Sequence, residues 1–220
     1  MSLADLLAVG AATLGESGGS PMDPRIRPVW PDAQVAGPAF SVACGTGDNL
    51  AVHAAVAEAP PGSVLCVSFE SPAARGYWGE VLTTGAQARG IIGLVIDGGV
   101  RDTEALERLR FPVFASGVVL RGAGKAASGS IGGWADVGEV RVHTGDLVVG
   151  DRDGVVVVPS ARFSEVRAAA LARVAKEDDM FQKLRDGATT VELLDLDTLG
   201  VRRGPWSSAQ PTSRDGHSPR

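Results

Sequence analysis

The chain is poor in cysteine, with 2 among 220 residues. A disulfide-stapled scaffold is thereby excluded, and the fold must rest on its apolar core. Cys44 and Cys66 each lie inside an apolar run, "FSVACG" and "VLCVSF", and are expected as buried, reduced thiols. No apolar stretch approaches the roughly 18 residues of a membrane span. The first residues include Asp5 and lack a basic segment, which argues against a signal peptide. The body of the chain carries no basic block and the net charge is −5, so neither nucleic acid nor membrane is an expected partner. A cytoplasmic location is expected. Histidine is scarce, at 3 residues, and no Ser–His–Asp or Cys–His arrangement is indicated. His53 reads as a packed or half-exposed helix residue, His143 as a strand residue, and His217 falls in the tail. Aromatics make up only 5%, and Trp30, Trp78 and Trp134 read as packing residues, Trp78 also as a possible wall of a site.

What the chain does have is glycine, 29 residues, and a 44% hydrophobic content. Apolar runs alternate with helix signals, the pattern of a mixed α/β domain. Strands are expected at "QVAGPAFSVAC", "SVLCVSF", "IIGLVID" and "PVFASGVV", with Pro38 marking an edge or bulge. Helices are expected over "TGDNLAVHAAVAEA", capped by Asp48, over "GYWGEVLTTGAQARG", and over "TEALERLR". Residues 3–14 read as a short helix, and "GESGGSPMDPRIRPVWP" and "RGAGKAASGSIGG" as loops. A β-meander follows over "GEVRVHTGDLVVGDRDGVVVVP", with Asp151 and Asp153 shaping a hairpin, and then one long helix with Ser160 or Ser164 as its cap. Residues 1–200 form one domain in this reading, and the Pro-, Ser- and Arg-rich residues 201–220 a disordered tail.

The stretch "GLVIDGGVRDTEALERL" delivers Arg101 and Asp102 at the mouth of a buried strand. The preceding helix runs antiparallel to that strand, so its N-terminus and the strand's C-terminal end share one end of the layer. That brings Glu80 toward Arg101 and Asp102, and aims the first backbone N–H groups, from Gly79 to Leu82, into the same space. Such a helix start favours an anion by about 0.3–2 kcal/mol, and a guanidinium fork suits a carboxylate. Two acids beside an anion repel it unless a cation lies between them, and oxygen ligands alone point to Mg²⁺ or Mn²⁺. The plainer alternative is an Arg–Asp ion pair capping the helix at Thr103, with Gly98 and Gly99 forming a turn.

The segments "MDPRIRPVWPDAQVAGPAFSV", "GDNLAVHAAVAEAPPGSVLCV", "WGEVLTTGAQARGIIGLVIDGGVRD", "FPVFASG" and "GDLVVGDRDGVVVVP" resemble, in that order, the RraA-like proteins. These include the class II 4-hydroxy-4-methyl-2-oxoglutarate / 4-carboxy-4-hydroxy-2-oxoadipate aldolases, and the resemblance spans roughly residues 8–195. It implies a layered β/β/α, swivelling-domain-like fold with a long C-terminal helix. It also implies a homotrimer or hexamer with active sites between subunits. The aldolase motif, an acid, twenty residues, then Arg-Asp, is met by Glu80, Arg101 and Asp102, with Glu in place of Asp at the first position. By resemblance, Asp102 ligates Mg²⁺ (or Mn²⁺) directly and Glu80 holds a metal-bound water. Arg101 and the amides of Gly79, Glu80, Val81 and Leu82 hold the pyruvyl group. Glu177 of a neighbouring subunit holds a further water, with Asp178 as the competing choice and a solvated helix-face charge as the alternative for Glu177. The implied activity is a metal-dependent lyase that releases pyruvate from 4-hydroxy-2-oxo diacids and decarboxylates oxaloacetate. A water on the metal or beside Arg101 is the expected base, since no histidine is placed for it. A Schiff-base lysine, with Lys125 the candidate nearest the site, is the less favoured chemistry. The other class on this scaffold is a protein-binding regulator of ribonuclease E, without catalysis.

Overall fold

The computed structural model describes residues 3–71, 73–126, 128–202 and 204. The expected tail, apart from 201, 202 and 204, and His217 with it, lies outside these residues. Two compact units are present, Met1–Lys176 and Glu177–Arg220, and the Phe163–Arg185 helix begins in the first and ends in the second. Within the second unit the short Thr190–Leu193 helix is closed by a reciprocal capping box between Thr189 and Glu192.

The frame of the first unit is a parallel sheet. Val35–Cys44, Val64–Phe69, Gly93–Val100 and Val113–Val118 lie side by side in that order. Parallel neighbours are joined by crossover connections, which usually carry a helix. The helices Leu50–Glu58, Glu80–Ala88 and Thr103–Arg108 stand in those intervals. The strand sequences explain the burial: "VLCVSF" and "GLVI" are apolar on both faces, and Leu65, Val67, Leu94 and Ile96 are fully buried. Each such side chain stabilises the fold by about 1.5–3 kcal/mol relative to exposure.

The Val35–Cys44 strand serves two pairings. Its first half, Val35 to Pro38, runs antiparallel to Leu147–Gly150, and its second half, from Ala39, runs parallel to the Val64–Phe69 strand. Pro38 sits at that handover. The expected meander is instead two hairpins in different sheets: Val140–His143 pairs with Trp134–Val137 in a sheet of its own, and Leu147–Asp151 pairs with Gly154–Val158 in the main sheet. Asp151 Oδ1 accepts the Asp153 N–H at 2.9 Å, closing the hairpin.

Three further expectations need correction. "GYW" is not helical: Gly76–Trp78 is a short strand alongside Gly99 and Val100, and the helix starts only at Glu80. The glycine-rich loop contains a strand, Gly129–Ile131, paired with Val42–Cys44. Gly98 and Gly99 form no turn but lie within the Gly93–Val100 strand.

Both cysteines are free and buried. Burial pushes the Cys44 thiol up to about 12 and raises that of Cys66 as well. The native protein is therefore expected to give no reaction with a disulfide reagent at pH 8, and 2 thiols per chain once unfolded in guanidinium. Fast labelling of the native form would contradict the packing described here.

Candidate active site

In a parallel sheet, ligands collect outside the carboxyl ends of the strands, where the loops and helix starts converge. That is where the candidate residues lie. Asn49 follows the Val35–Cys44 strand, Gly79 follows Gly76–Trp78, and Arg101 and Asp102 follow Gly93–Val100. The Gly122–Lys125 loop follows Val113–Val118. Together these line a cavity of about 350 Å³, with Trp78, Val81 and Leu82 contributing wall.

Asp102 is the pivot. Its backbone is left-handed, φ 56°, and it precedes the Thr103–Arg108 helix without forming a side-chain cap on it. Its Oδ2 instead accepts the Glu80 N–H at 3.0 Å, tying two helix starts together across the sheet end. Arg101 Nε is 3.9 Å from the same oxygen, so the neighbouring pair is loose. Of the plainer alternative, the Arg101–Asp102 ion pair and the N-cap position of Asp102 are present, but the side-chain cap on the helix is not. Arg101 and Asp102 side chains remain 44% and 43% exposed, so the dyad is open to a ligand. Gly79 permits the approach: a Cβ there would stand 2.4 Å from Asp102 Oδ2 and 3.1 Å from Arg101 Cγ.

The Glu80–Ala88 helix is anchored from inside. Trp78 Nε1 donates to Thr83 Oγ1 at 2.6 Å, and the indole stacks on Phe111. Thr83 N–H closes the first turn on Gly79 O at 3.1 Å. The Glu80 N–H is taken by Asp102, which leaves Val81 and Leu82 as the first-turn N–H groups without a helical acceptor. The Glu80 side chain turns away from Arg101: its Oε1 accepts from Arg108 Nη2 at 2.6 Å. Backbone proximity to the dyad is thus as the sequence suggests, while one carboxylate oxygen is occupied elsewhere.

Two lining residues were not assigned from sequence, Asn49 and His53, while Lys125, expected in a loop near the site, lines it too. Asn49, rather than Asp48, is the N-cap of the Leu50–Glu58 helix. It is 5% exposed, and its Nδ2 donates to Tyr77 O at 2.8 Å, which orients the amide and leaves buried Oδ1 without a partner. One turn on, His53 Nε2 is likewise buried and without a partner. Burial and the charge of Lys125 lower the His53 pKa against an opposing pull from Asp48, which favours the neutral imidazole. Lys125 is held near by its loop: Asn49 N–H donates to Gly124 O at 3.0 Å, and Ala126 N–H to Asp48 Oδ2 at 2.6 Å. The available signal was the i, i+4 pair Asn49–His53 at a helix start following a strand's carboxyl end.

A larger cavity, about 570 Å³, is lined among others by Arg25, Asp97 and Asp136. Those charges are spent, Arg25 on Asp97 at 2.7 Å and Asp136 on Arg141 at 2.9 Å. Trp30 packs in the core as expected, but Trp134 is 51% exposed with the Arg141 guanidinium over its ring. Glu177 and Asp178 lie on the Phe163–Arg185 helix, in the second unit.

Comparison with known proteins settles the family. The RraA-like profile, described as Aldolase/RraA, matches residues 4–157. A protein of Halalkalibacterium halodurans named "Putative 4-hydroxy-4-methyl-2-oxoglutarate aldolase" is 34% identical over 166 residues, 76% of this chain and 79% of that one. The chain belongs to the RraA-like family. Among solved structures, an uncharacterized protein from Pseudomonas syringae superposes with TM-score 0.72 at 27% identity, covering 83% of this chain and 85% of that one. The RNA-processing inhibitor RraA from Thermus thermophilis superposes with TM-score 0.60 at 24% identity, covering 72% and 93%, a likeness of fold. The mixed α/β architecture with its long C-terminal helix is that of the RraA-like family. No helix among the described residues is long and apolar enough to cross a membrane.

Proposed function

We propose that this RraA-like chain is a divalent-metal-dependent lyase that cleaves 4-hydroxy-2-oxo diacids to pyruvate and decarboxylates oxaloacetate through the same enolate. The observation that carries the reading is the convergence on one open cavity of Arg101, Asp102, the start of the Glu80–Ala88 helix and Lys125. Three positive features around one carboxylate suit a dianionic substrate.

Among the described residues no group of three or more His, Cys, Asp or Glu could hold an ion, which disfavours zinc. Magnesium needs less from the protein, one or two carboxylates with waters completing the shell. Asp102 fits that demand, with Oδ2 held by the Glu80 N–H and Oδ1 left open. Glu80 would contribute through the oxygen not bonded to Arg108, and Glu177 from a second copy of the chain would complete the water shell. When bound, Mg²⁺ would supply Lewis-acid polarisation of the 2-oxo group.

The chain's own residues do the rest. The Arg101 fork binds the pyruvyl carboxylate, and the Val81 and Leu82 N–H groups orient it. As the bond to the leaving carbon breaks, negative charge grows on the 2-oxo oxygen, and Arg101 stabilises it more than the neutral ketone. Lys125 is suited to a distal carboxylate. Both substrates pass through the pyruvate enolate, so one site serves both.

The test is a coupled pyruvate assay with 4-hydroxy-4-methyl-2-oxoglutarate and oxaloacetate. Pyruvate release above the uncatalysed rate is expected with Mg²⁺ and is lost on EDTA treatment, returning with added Mg²⁺. Release that ignores EDTA would remove the metal from the proposal. No release from either substrate would remove the enzyme reading and leave a protein-binding role for the scaffold.

A further inference from the structure

Retro-aldol cleavage needs something that decarboxylation does not. The C4 hydroxyl of the substrate must lose its proton as the C3–C4 bond breaks, whereas oxaloacetate releases a carboxylate that carries none. A proton acceptor within the cavity is therefore required for one reaction only. Among the described lining residues, few atoms can play it. Asp102 Oδ2 is occupied by the Glu80 N–H, and Asp102 Oδ1 is the oxygen offered to the metal. Arg101 and Lys125 are donors. Tyr77 O already accepts from Asn49 Nδ2. Asn49 Oδ1 accepts hydrogen bonds but is far too weak a base to take a proton. His53 Nε2 is both unpartnered and basic.

We propose that His53 is the general base of carbon–carbon cleavage, receiving the C4 hydroxyl proton on Nε2. This rests on the function proposed above and adds to it a group for a step that a bound water was expected to perform. The C4 O–H bond breaks and its proton moves to Nε2. The freed pair becomes the second bond of the C4 carbonyl. The C3–C4 pair passes to C3 and delocalises onto the 2-oxo oxygen. The imidazolium then returns the proton to C3, giving pyruvate and regenerating neutral His53. Asn49 Oδ1, one helical turn earlier and also unpartnered, is in a position to steady the hydroxyl before transfer.

The surroundings suit the role. Burial, and after it the charge of Lys125, bias the imidazole toward its neutral form, while Asp48 acts in the opposite sense. Arg101 and Asp102 are the other charged groups of the cavity. A buried, neutral imidazole that finds no protein partner is poised to meet a hydroxyl donor from the ligand.

The experiment compares two reactions in one variant. In His53→Gln, saturated with Mg²⁺, kcat for 4-hydroxy-4-methyl-2-oxoglutarate is expected to fall about 100-fold, a typical general-base contribution. Oxaloacetate decarboxylation in the same preparation is expected to fall less than about tenfold, which also reports a folded site. An acid limb in the cleavage pH profile is expected for the wild type and is expected to vanish in the variant. A parallel His53→Asn variant guards against an effect peculiar to glutamine. Equal losses in both reactions, or cleavage that survives in both variants, would overturn the assignment of His53 alone. Wild-type protein lacking both reactions would overturn the site reading and this proposal together.

Discussion

Asp102→Asn is expected to lower magnesium-dependent pyruvate release by at least about 10³-fold, the scale of losing a charged group that acts on the developing enolate. Asparagine is the informative replacement because the backbone at this position is left-handed, φ 56°. Asn tolerates that conformation, whereas alanine would add about 1–2 kcal/mol of strain and confuse folding with chemistry. The amide oxygen of Asn can also keep accepting the Glu80 N–H, now 3.0 Å from Asp102 Oδ2. Only the negative charge is lost. The melting temperature is therefore expected to stay within a few degrees of wild type while turnover of both substrates disappears. Substantial activity in a folded Asp102→Asn variant would remove Asp102 from the proposed metal site.

Gly79→Ala is expected to cost at least about 100-fold in turnover, the usual penalty for displacing reacting groups by about 1 Å. Gly79 is extended, φ −169°, so alanine meets no backbone strain there. The effect is steric: the new methyl would lie 2.4 Å from Asp102 Oδ2 and 3.1 Å from Arg101 Cγ, and both functional side chains must move. Overpacking adds about 1–3 kcal/mol of destabilisation, readable as a lower denaturation midpoint. Gly117→Ala is the control, since a Cβ there meets nothing within 4 Å. An active Gly79→Ala enzyme would mean that the present spacing of Arg101 and Asp102 is not what the chemistry requires.

Much of this was legible in the sequence, and the reasons differ by residue. The strands "VLCVSF" and "IIGLVID" announced themselves because both faces are buried, and an uninterrupted apolar run has few other uses. Arg101 and Asp102 stood out because charge follows such a run directly. "GYW" misled because three residues are too few to display a period. Its strand character comes from Gly99 and Val100, more than twenty residues away in the chain. Gly129–Ile131 was hidden for the same reason, being specified by Val42–Cys44. The Glu80 side-chain partner, Arg108, was out of reach because it depends on how two helices stand beside one another. His53 was passed over because a single histidine among alanines and valines reads as packing. Its relation to Lys125 is fixed by bonds between the Asp48 region and the Gly124–Ala126 loop, which no local pattern encodes.

The handover at Pro38 has a thermodynamic corollary. One continuous strand carries the antiparallel ladder with Leu147–Gly150 on its first half and the parallel ladder with Val64–Phe69 on its second. Neither ladder can fray from this strand without loosening the covalent continuation of the other. The two ladders are therefore expected to open together. Substrate held at the carboxyl ends of the parallel strands is then expected to slow amide exchange in the distant Leu147–Val158 hairpin as well.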